Sequence, residues 1–421
     1  MTTGAPIQSA RTLARTLFDV AVKAADPAAA TARALEGLPV TGQRTRLIAV
    51  GKAAVAMAGA ALAHLAGTPV TALVVTNYEN ARPLPGATVM AAGHPVPDAQ
   101  GARAAVAVEA MLAGLTAADR VIALISGGGS ALLPAPVAGV SLEEKAQVNR
   151  LLLASGFGIT EINAVRQHLS RLKGGGMVRL AAPAPVTALI LSDVIGDDLR
   201  VIASGPTTAP IATRAEVVKM LQERRLWDRL PASVSTHLQQ PAVALAAPPP
   251  ARNILIGSNR VSLEAMRAAS PCSHTRIVSD HLTGDVADAC ASIIAAARDW
   301  DGLRPACLIF GGETTVTLRG TGLGGRNQEL ALRVAMAGLP GQWVFLSGGT
   351  DGRDGPTDAA GGLVDSGSVA RMRAAGADPA ALLANNDSYA ALDGSGDLLR
   401  VAATGTNVAD VQVLVLLPGA G

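Results

Sequence analysis

Short runs of valine, isoleucine, leucine and alanine recur along the chain and constrain its fold more than any other feature of the sequence. The first half contains four such runs, which are LIAV (47–50), ALVVT (72–76), VIALIS (121–126) and VTALILSD (186–193). They are apolar at nearly every position, and alanine-rich segments of helical character separate them. Because such runs are typical of strands that are covered on both faces, the pattern predicts a parallel α/β sheet.

The length of the chain indicates two domains. At roughly 100 to 200 residues per domain, 421 residues exceed a single ordinary core. A proline-rich stretch at 237–253, with Pro248, Pro249 and Pro250, predicts an interdomain connector. Beyond it the apolar runs start again, as NILIGS (253–258), TRIVSD (275–280), ACLIFGG (306–312), WVFLSGG (343–349) and VQVLVL (411–416). We therefore predict two α/β domains, 1–245 and 246–421.

Composition and charge narrow the kinds of partner that the chain can bind. The net charge is +2 and only 2% of residues are aromatic, so the sequence offers neither the positive field nor the stacking platforms of nucleic-acid binding proteins. No apolar run approaches the ~18 residues of a membrane span. The three cysteines lack C-x-x-C spacing and indicate neither a disulfide framework nor a zinc site. We expect a cytoplasmic protein with small-molecule ligands and no nucleic-acid or membrane partner. The sequence leaves open whether the chain forms a homodimer.

Three consecutive glycines follow the third apolar run, in VIALISGGGSALL (121–133). A strand that enters a glycine turn and then a helix exposes several backbone N–H groups at the positive end of the helix dipole, which makes an anion site. A tight turn alone would need only two glycines. We therefore predict phosphate binding by Ser126, Gly127, Gly128, Gly129 and Ser130. This is not the P-loop, because G-x-x-x-x-G-K-[ST] is absent from the sequence.

Two charged side chains end other apolar runs of the first half. Lys52 directly follows LIAVG in a chain that has five lysines against thirty arginines, so we predict a compact positive charge aimed at the ligand crevice. Asp193 ends VTALILSD, and Mg²⁺ prefers one or two carboxylates together with phosphate oxygens and water. Asp197 and Asp198 fit helix-capping roles equally well. Asp193 is therefore the predicted magnesium ligand.

The segment TEINAVRQHLSRLKGGG (160–176) concentrates side chains that donate hydrogen bonds. Such a composition suits the binding of a carboxylate or a phosphate. For any one of these side chains alone, a solvated helix face is the more common explanation. We predict Asn163 and Arg166 as substrate-binding residues.

The second half contains a formal dinucleotide fingerprint, Gly320-x-Gly322-x-x-Gly325. Two features count against nicotinamide binding. Residues 315–318 alternate as a half-exposed antiparallel strand would, and Asp351 comes later than the acidic residue that usually follows the motif.

Charged residues near these glycines offer other chemistry. Arg326 stands at the predicted start of the helix RNQELALRVAMAG, where a guanidinium beside helix N–H groups can bind a phosphoryl group or a carboxylate. Glu313 follows CLIFGG, and Asp351 lies in SGGTDGRDGPTD, so both bring carboxylates to predicted strand ends. The latter segment lacks the twelve-residue ligand pattern of a calcium loop.

Together these motifs resemble the class II glycerate kinases, which form 2-phosphoglycerate and carry a MOFRL domain at the C-terminus. The resemblance covers almost the whole chain and rests on motifs in family order: AVGKAA (49–54), LISGGGSALL (124–133), EINAVRQHLSRLKGG (161–175), LILSDVIGDDLRVIASGPT (189–207), GGET (311–314), GGRNQELAL (324–332), SGGTDGRDGPTDAAGG (347–362), NNDSYAAL (385–392) and TGTNVADV (404–411).

The resemblance implies a Rossmann-like N-terminal domain with a parallel sheet and a smaller α/β domain with a mixed sheet, separated by a cleft. It implies ATP- and Mg²⁺-dependent phosphorylation of the 2-hydroxyl of D-glycerate, with Lys52 and Arg326 as catalytic cations. Asp351 or Glu313 would orient or deprotonate that hydroxyl. Because relatives are often labelled hydroxypyruvate reductases, an NAD(P)H-dependent reductase remains an alternative, and a non-catalytic anion or nucleotide sensor is another.

Overall fold

The computed structural model describes residues 4–39, 44–241 and 250–418. The chain folds into two compact units. Pro27–Ile256 form the unit that we name the parallel-sheet unit. Met1–Asp26, which contain helix α1 (Gly4–Ala24), join Gly257–Gly421 in the mixed-sheet unit. This division differs from the predicted domains 1–245 and 246–421 in the place of the border and in the assignment of the N-terminal helix.

The parallel-sheet unit alternates strands and helices. Its strands are β1 (Thr45–Val50), β2 (Val70–Asn77), β3 (Ala87–Ala92), β4 (Arg120–Ile125), β5 (Val186–Leu191) and β6 (Arg252–Gly257). Its helices are α2 (Pro27–Glu36), α3 (Ala54–His64), α4 (Ala99–Leu112), α5 (Gly129–Leu132), α6 (Leu142–Ala154), α7 (Ile159–His168), α8 (Gly176–Ala181), α9 (Arg214–Glu223) and α10 (Ala232–Gln239).

The strand order of this sheet is β3-β2-β1-β4-β5-β6, and the pairs from β3 to β5 are parallel. The chain therefore adds β2 and β3 on one side of β1, and then reverses to add β4, β5 and β6 on the other side. In doubly wound sheets, ligands bind outside the carboxyl ends of the strands at this reversal. The parallel α/β sheet expected from the apolar runs is confirmed, and so is the Rossmann-like fold that the resemblance implied. Strand β3 was missed by the pattern because its sequence, ATVMAA, is alanine-rich and only partly buried.

The run NILIGS belongs to a different sheet from the one expected. It was predicted to open the second domain, but as β6 it pairs beside β5 in the parallel sheet. Ala251 and Leu255 pack against the core of that sheet, which explains why the strand is apolar. The proline-rich stretch thus leads from α10 to β6 within one unit, although 242–249, with Pro248 and Pro249, lie outside the described residues.

The mixed-sheet unit has a second six-stranded sheet of order β11-β10-β9-β12-β8-β7. The strands are β7 (His274–Asp285), β8 (Ala306–Thr315), β9 (Gln342–Gly349), β10 (Gly361–Asp365), β11 (Leu398–Leu399) and β12 (Asp410–Leu417). Besides α1, the helices are α11 (Asn259–Ala269), α12 (Val286–Arg298), α13 (Arg326–Met336), α14 (Ser368–Ala374), α15 (Pro379–Ala384) and α16 (Ser388–Gly394).

Within the described residues, β7 and β8 pair in parallel, and the other neighbouring strands of this sheet pair antiparallel. The predicted smaller α/β domain with a mixed sheet is therefore confirmed. Helix α1 buries Leu17 and Phe18 against strands β9 and β12, so the N-terminal segment completes this core. The strand expected at 315–318 is wrong, because β8 ends at Thr315 and Leu318 is 79% exposed. No helix in the described ranges has the length and apolarity that a membrane span requires.

Candidate active site

The loops after β1 and β4 meet at the reversal of the parallel sheet. The Lys52 N–H donates to the Gly127 carbonyl at 2.9 Å, and the Ala53 N–H donates to Ser126 Oγ at 3.1 Å. Gly51 has φ +126°, and a Cβ atom there would overlap Ser126. The hydroxyl of Ser126 is thus used within the protein, where it fixes one loop against the other, and its side chain is buried.

The glycine triplet leaves its amides available. None of the hydrogen bonds found within the described ranges is donated by the N–H of Gly127, Gly128 or Gly129. Consecutive unpaired N–H groups form a concave site for an anion without any helix. The predicted help from a helix dipole is small, because α5 is a single turn of four residues. The backbone amides are therefore the groups of this loop that stay available to an anion.

Other parts of the protein approach the triplet so closely that side chains would not fit. A Cβ atom at Gly127 would overlap the carboxylate of Asp193, and one at Gly129 would lie 2.8 Å from Cβ of Ala203. At Gly128, whose φ is +87°, a Cβ atom would lie 3.1 Å from the His94 ring and 3.3 Å from Cγ of Lys52. Gly127 and Gly128 therefore allow the side chains of Asp193, His94 and Lys52 to approach the free amides.

The electrostatics of these groups favour an incoming phosphate with a cation. Burial raises the pKa of Asp193, and the positive charge of Lys52 partly offsets that effect. Burial, followed by the charge of Lys52, lowers the pKa of His94, which keeps the imidazole neutral near pH 7. An additional cation beside Asp193 would stabilise its ionised form.

The residues fit Mg²⁺ that arrives with phosphate. Within the ranges that the structure describes, no cluster of three or more His, Cys, Asp or Glu side chains forms a ready metal cage. Mg²⁺ commonly uses one or two carboxylates and takes its other ligands from phosphate and water. The Asp193 carboxylate lies against the glycine amides. It accepts no hydrogen bond from another side chain in the described part of the chain, so it fits the role of the one carboxylate ligand of Mg²⁺.

Ser130 and Asn163 belong to one hydrogen-bond network. Asn163 Nδ2 donates to the Ile159 carbonyl at 3.0 Å, while its Oδ1 accepts from Ser204 Oγ at 2.6 Å. Ser204 Oγ lies 2.7 Å from Ser130 Oγ. Because the Ser204 proton goes to Asn163, Ser130 donates its own proton to Ser204. Asn163 therefore supports the loop, and one N–H of its amide group is not used in this network.

Arg166 has a different environment. Its guanidinium makes no hydrogen bond or ion pair within the described ranges, and it lines a cavity of about 140 Å³ together with Lys145 and Lys173. Burial lowers the pKa of Arg166. Of the two residues predicted to bind substrate in the segment 160–176, Arg166 is the one whose whole charged group is available to a ligand.

Arg326 begins α13 in the mixed-sheet unit, as predicted. Its Nε and Nη2 atoms donate to the buried Asp410 carboxylate at 2.6 and 2.9 Å, and its Nη1 lies 3.3 Å from Glu313 Oε1. Burial alone would lower the pKa of Arg326, but the hydrogen bonds and charge of Asp410 and the charge of Glu313 raise it. Arg326 is thus a permanently charged group in a fixed orientation, and Glu313 is its ion-pair partner.

The amides at the start of α13 are already occupied. The buried Asp354 accepts from the N–H groups of Asn327 and Gln328 at 3.1 and 2.8 Å. These two amides therefore bind a carboxylate of the protein itself and are not available to a ligand. Burial raises the pKa of Asp354 to about 6, although these same hydrogen bonds oppose the shift.

Asp351 lies at the carboxyl end of β9. Its Oδ1 accepts from the Arg353 N–H at 3.0 Å. A Cβ atom at Gly349 would lie 3.2 Å from this oxygen and 3.5 Å from Oδ1 of Asp410, so the two carboxylates converge on that glycine. Asp351 and Arg326 are therefore brought to the same end of the mixed sheet through Asp410.

The formal dinucleotide fingerprint has a structural explanation. A Cβ atom at Gly320 would overlap Asn385, one at Gly322 would overlap Asp387, and one at Gly325 would overlap Asp354. β8 ends several residues earlier, so the glycines do not form the strand-to-helix turn of a dinucleotide site. They allow the loop that precedes α16 to pack closely.

Sequence reasoning missed several residues of these sites. His94, Asp354 and Asp410 carried weak signals, since each is a single polar residue whose neighbours come from distant parts of the chain. Asp410 had one usable signal, which is a carboxylate at the head of the otherwise apolar strand VQVLVL. The scarcity of lysine could have identified Lys145 and Lys173 as well as Lys52.

Comparison with known proteins gives consistent results. A model described as "Domain of unknown function (DUF4147)" matches residues 13–239, and the MOFRL family model matches 306–410. The D-glycerate 2-kinase of Thermotoga maritima is 40% identical, over 96% of this chain and 98% of that protein. A protein of Agrobacterium vitis named "Putative hydroxypyruvate reductase" is 42% identical, over 97% of this chain and 95% of its own.

A solved structure shares the fold along nearly the whole chain. The crystal structure of a glycerate kinase from Thermotoga maritima superposes with a TM-score of 0.90 at 38% identity, covering 97% of this chain and 100% of that one. Such identity and coverage go well beyond a shared fold class. The chain belongs to the class II glycerate 2-kinase family, in which a DUF4147 region is followed by a MOFRL domain.

Proposed function

We propose that this protein is a glycerate 2-kinase that transfers the γ-phosphoryl group of ATP to the 2-hydroxyl of D-glycerate. The observation that carries the proposal is the group of unpaired glycine amides beside Lys52 and Asp193, at the reversal of the parallel sheet. Amides and a fixed cation are the groups that phosphoryl transfer needs, because catalysis depends on positioning and charge stabilisation. Membership of the glycerate kinase family indicates D-glycerate as the acceptor and ATP as the nucleotide.

The proposal gives direct roles to the glycine amides, the two cations and Asp193. The amides of Gly127, Gly128 and Gly129 bind phosphate oxygens, and Lys52 and Arg326 stabilise the charge on the group in transfer. Asp193 is the protein ligand of Mg²⁺. When bound with the nucleotide, that ion neutralises phosphate charge.

The acceptor hydroxyl requires a base or an orienting group. Asp351 is our choice, because Glu313 is engaged by Arg326, whereas the contact of Asp351 is to a backbone N–H of its own turn. In-line transfer then moves the hydroxyl proton to the carboxylate as the bond to phosphorus forms and ADP leaves. An Asp351→Asn variant that keeps full turnover would remove Asp351 from this role.

The test is product analysis with a matched lysine control. Purified protein is incubated with D-glycerate and MgATP, and phosphorus NMR is expected to show a 2-phosphate ester and ADP. Lys52→Met should lower turnover by about 10³-fold, as loss of a cation on the transferring group does. Lys219→Met, which removes an exposed lysine, should leave turnover unchanged. A 3-phosphate product, or equal rates for both variants, would contradict the proposal.

The reductase alternative is tested in the same preparation. Hydroxypyruvate and NADH replace glycerate and MgATP, and absorbance at the nicotinamide band is followed. We expect no NADH oxidation, because the glycines of the formal fingerprint are occupied by contacts within the protein. NADH oxidation without any ADP release in the kinase assay would favour a reductase. Nucleotide binding without turnover in either assay would favour a sensor.

Two other expectations from the sequence stay predictions. The expected compartment is the cytoplasm, and fractionation of the source cells tests it. A homodimer is the expected assembly if the chain associates with itself. Size-exclusion chromatography with light scattering measures the molar mass directly. The molar mass of a single chain would contradict a homodimer.

A further inference from the structure

The cavity beside Arg166 collects positive charge without a counterion. Lys145, Arg150, Arg166 and Lys173 all line it, together with Asn149 and Ser130, and we name it the cationic cavity. Within the described ranges its lining includes no carboxylate, and none of the four cations forms an ion pair. Three of the five lysines of the chain, including Lys52, are therefore buried or half-buried in the parallel-sheet unit.

Lys145 and Lys173 each keep at least one N–H donor that is not used in a hydrogen bond within the described part of the protein. Lys145 Nζ donates to the carbonyls of Pro134 and Leu169, and Lys173 Nζ donates to the carbonyl of Ser130 at 2.6 Å. An ammonium group carries three N–H donors. One donor of Lys145 and two of Lys173 thus remain, in addition to the whole guanidinium of Arg166.

Burying these like charges together is unfavourable unless an anion joins them. Lys145 and Lys173 are 8% and 3% exposed. Burial, and then the charge of Arg166, lowers the pKa of Lys173 to about 7, and burial with the neighbouring positive charges lowers the pKa of Lys145. An oxyanion in the cavity would pair with these groups and remove the repulsion.

The size of the cavity limits which oxyanion can bind in it. A cavity of about 140 Å³ suits a small carboxylic acid and is well below the roughly 300–1,000 Å³ of pockets that hold drug-sized ligands, so it is too small for a nucleotide. Its position selects further, since Lys173 is bonded to Ser130, the residue that follows the glycine triplet. Ser130 also lines the cavity, so an acid held here would lie beside the residue that directly follows the glycine amides.

We propose that the cationic cavity binds the carboxylate of the hydroxy-acid acceptor, with Arg166 and Lys173 as its ligands. This inference rests on the proposed kinase function. Lys145 also lines the site, and Asn149 Oδ1, which is buried without a hydrogen bond, offers an acceptor for a hydroxyl of the acid. The cavity is then what makes the enzyme select an acid over a neutral polyol.

Calorimetric titration of D-glycerate, with and without a non-hydrolysable MgATP analogue, tests the site. Arg166→Gln and Lys173→Met should each weaken D-glycerate binding by about 10- to 100-fold, the effect of one charge-assisted hydrogen-bond partner. Lys173→Arg should recover part of the loss. The matched controls Lys219→Met and Arg229→Gln, on exposed side chains, should bind as the unchanged protein does.

Two further arms identify what the cavity recognises. The affinity for the nucleotide analogue should stay within about twofold in both cavity variants, and glycerol, which lacks the carboxylate, should not compete with D-glycerate. Unchanged D-glycerate affinity in both variants overturns the inference. So does a loss confined to the nucleotide, which would assign the cavity to phosphate. Circular dichroism confirms that each variant is folded.

The same measurements separate this inference from the proposed function. If D-glycerate binds through Arg166 and Lys173 but no ADP is released in the kinase assay, the kinase function fails and the carboxylate site stands. If ADP is released normally in the cavity variants with unchanged KM for D-glycerate, the kinase function stands and the carboxylate site fails.

Discussion

Arg326 cannot be replaced by lysine without losing the two hydrogen bonds that its Nε and Nη2 atoms donate to Asp410. A lysine keeps the charge but presents one ammonium in place of a planar fork, so its position is no longer fixed. We expect Arg326→Lys to lower kcat by about 100-fold or more. Arg333→Lys on the same helix, which also replaces an arginine paired with a carboxylate, is the control. Equal kcat values for the two variants would show that orientation at 326 is unimportant.

Lys173 is expected to make substrate binding depend on pH. Its pKa of about 7 in the empty cavity means that the ammonium loses its proton as pH rises through neutrality. KM for D-glycerate should therefore rise between about pH 6 and 8. Lys173→Arg stays charged and should reduce this slope, and any remaining slope is assigned to Lys145, whose pKa burial also lowers. A slope that is identical in the unchanged protein and in Lys173→Arg would contradict the assignment.

At the level of the element, the glycine loop after β4 depends on Asp193. A Cβ atom at Gly127 would overlap that carboxylate, so Gly127→Ala must displace either the loop or the proposed magnesium ligand. We expect turnover to fall by about 100-fold or more, while the protein remains folded. In Gly59→Ala, a helical position where the added Cβ would lie 3.7 Å from Leu84, activity should be unchanged. Steady-state kinetics and thermal unfolding of both variants provide the comparison.

Helix α13 gives a prediction of stability. Folding raises the pKa of Asp354 from 3.8 to about 6, so between these values the folded state holds a proton that the unfolded state releases. Asp354 should therefore make the protein less stable as pH rises from about 4 to 6, with no further change above. The test compares the free energy of unfolding of the unchanged protein with that of Asp354→Asn. The first value minus the second should fall as pH rises from about 4 to 6. A difference that stays constant with pH would contradict the shifted pKa.

The elements show where sequence patterns succeed. Lys52, the glycine triplet and Asp193 each follow a buried apolar run, and parallel strands place such positions at one edge of a sheet, so the sequence alone was enough to group them. Short or glycine-rich strands such as β10 and β11 gave no apolar run and were missed. The occupation of the α13 amides by Asp354 was also out of reach, because it depends on how a separate loop packs.

At the level of the whole molecule, the chain does not divide where its proline-rich stretch suggested. Strand β6 follows that stretch yet completes the parallel sheet, and α1 precedes the parallel sheet yet completes the other core. Composition marks a segment that cannot be regular structure, but it does not tell which sheet the next strand joins. Strand pairing decides that, and it depends on partners that are remote in sequence.

Phe18 tests the assignment of the N-terminal helix to the mixed-sheet unit. Its ring is fully buried, and a Cβ atom at Gly348 of β9 would lie 2.7 Å from it, so the ring packs directly on that strand. Phe18→Ala should destabilise this unit by about 3–5 kcal/mol, the usual cost of removing a buried aromatic ring. Hydrogen exchange followed by mass spectrometry should then speed up in β9 and β12 and stay unchanged in β1 and β4.

The matched control is Phe157→Ala, since Phe157 is buried in a helical core of the parallel-sheet unit. Its removal should speed exchange in α6, α7 and α9 and leave β9 and β12 as they are. If Phe18→Ala instead loosened the parallel sheet, α1 would belong to the unit that follows it in the sequence. The reciprocal pattern is expected because each unit has its own buried cluster, so a cavity in one core removes contacts from the strands and helices of that core.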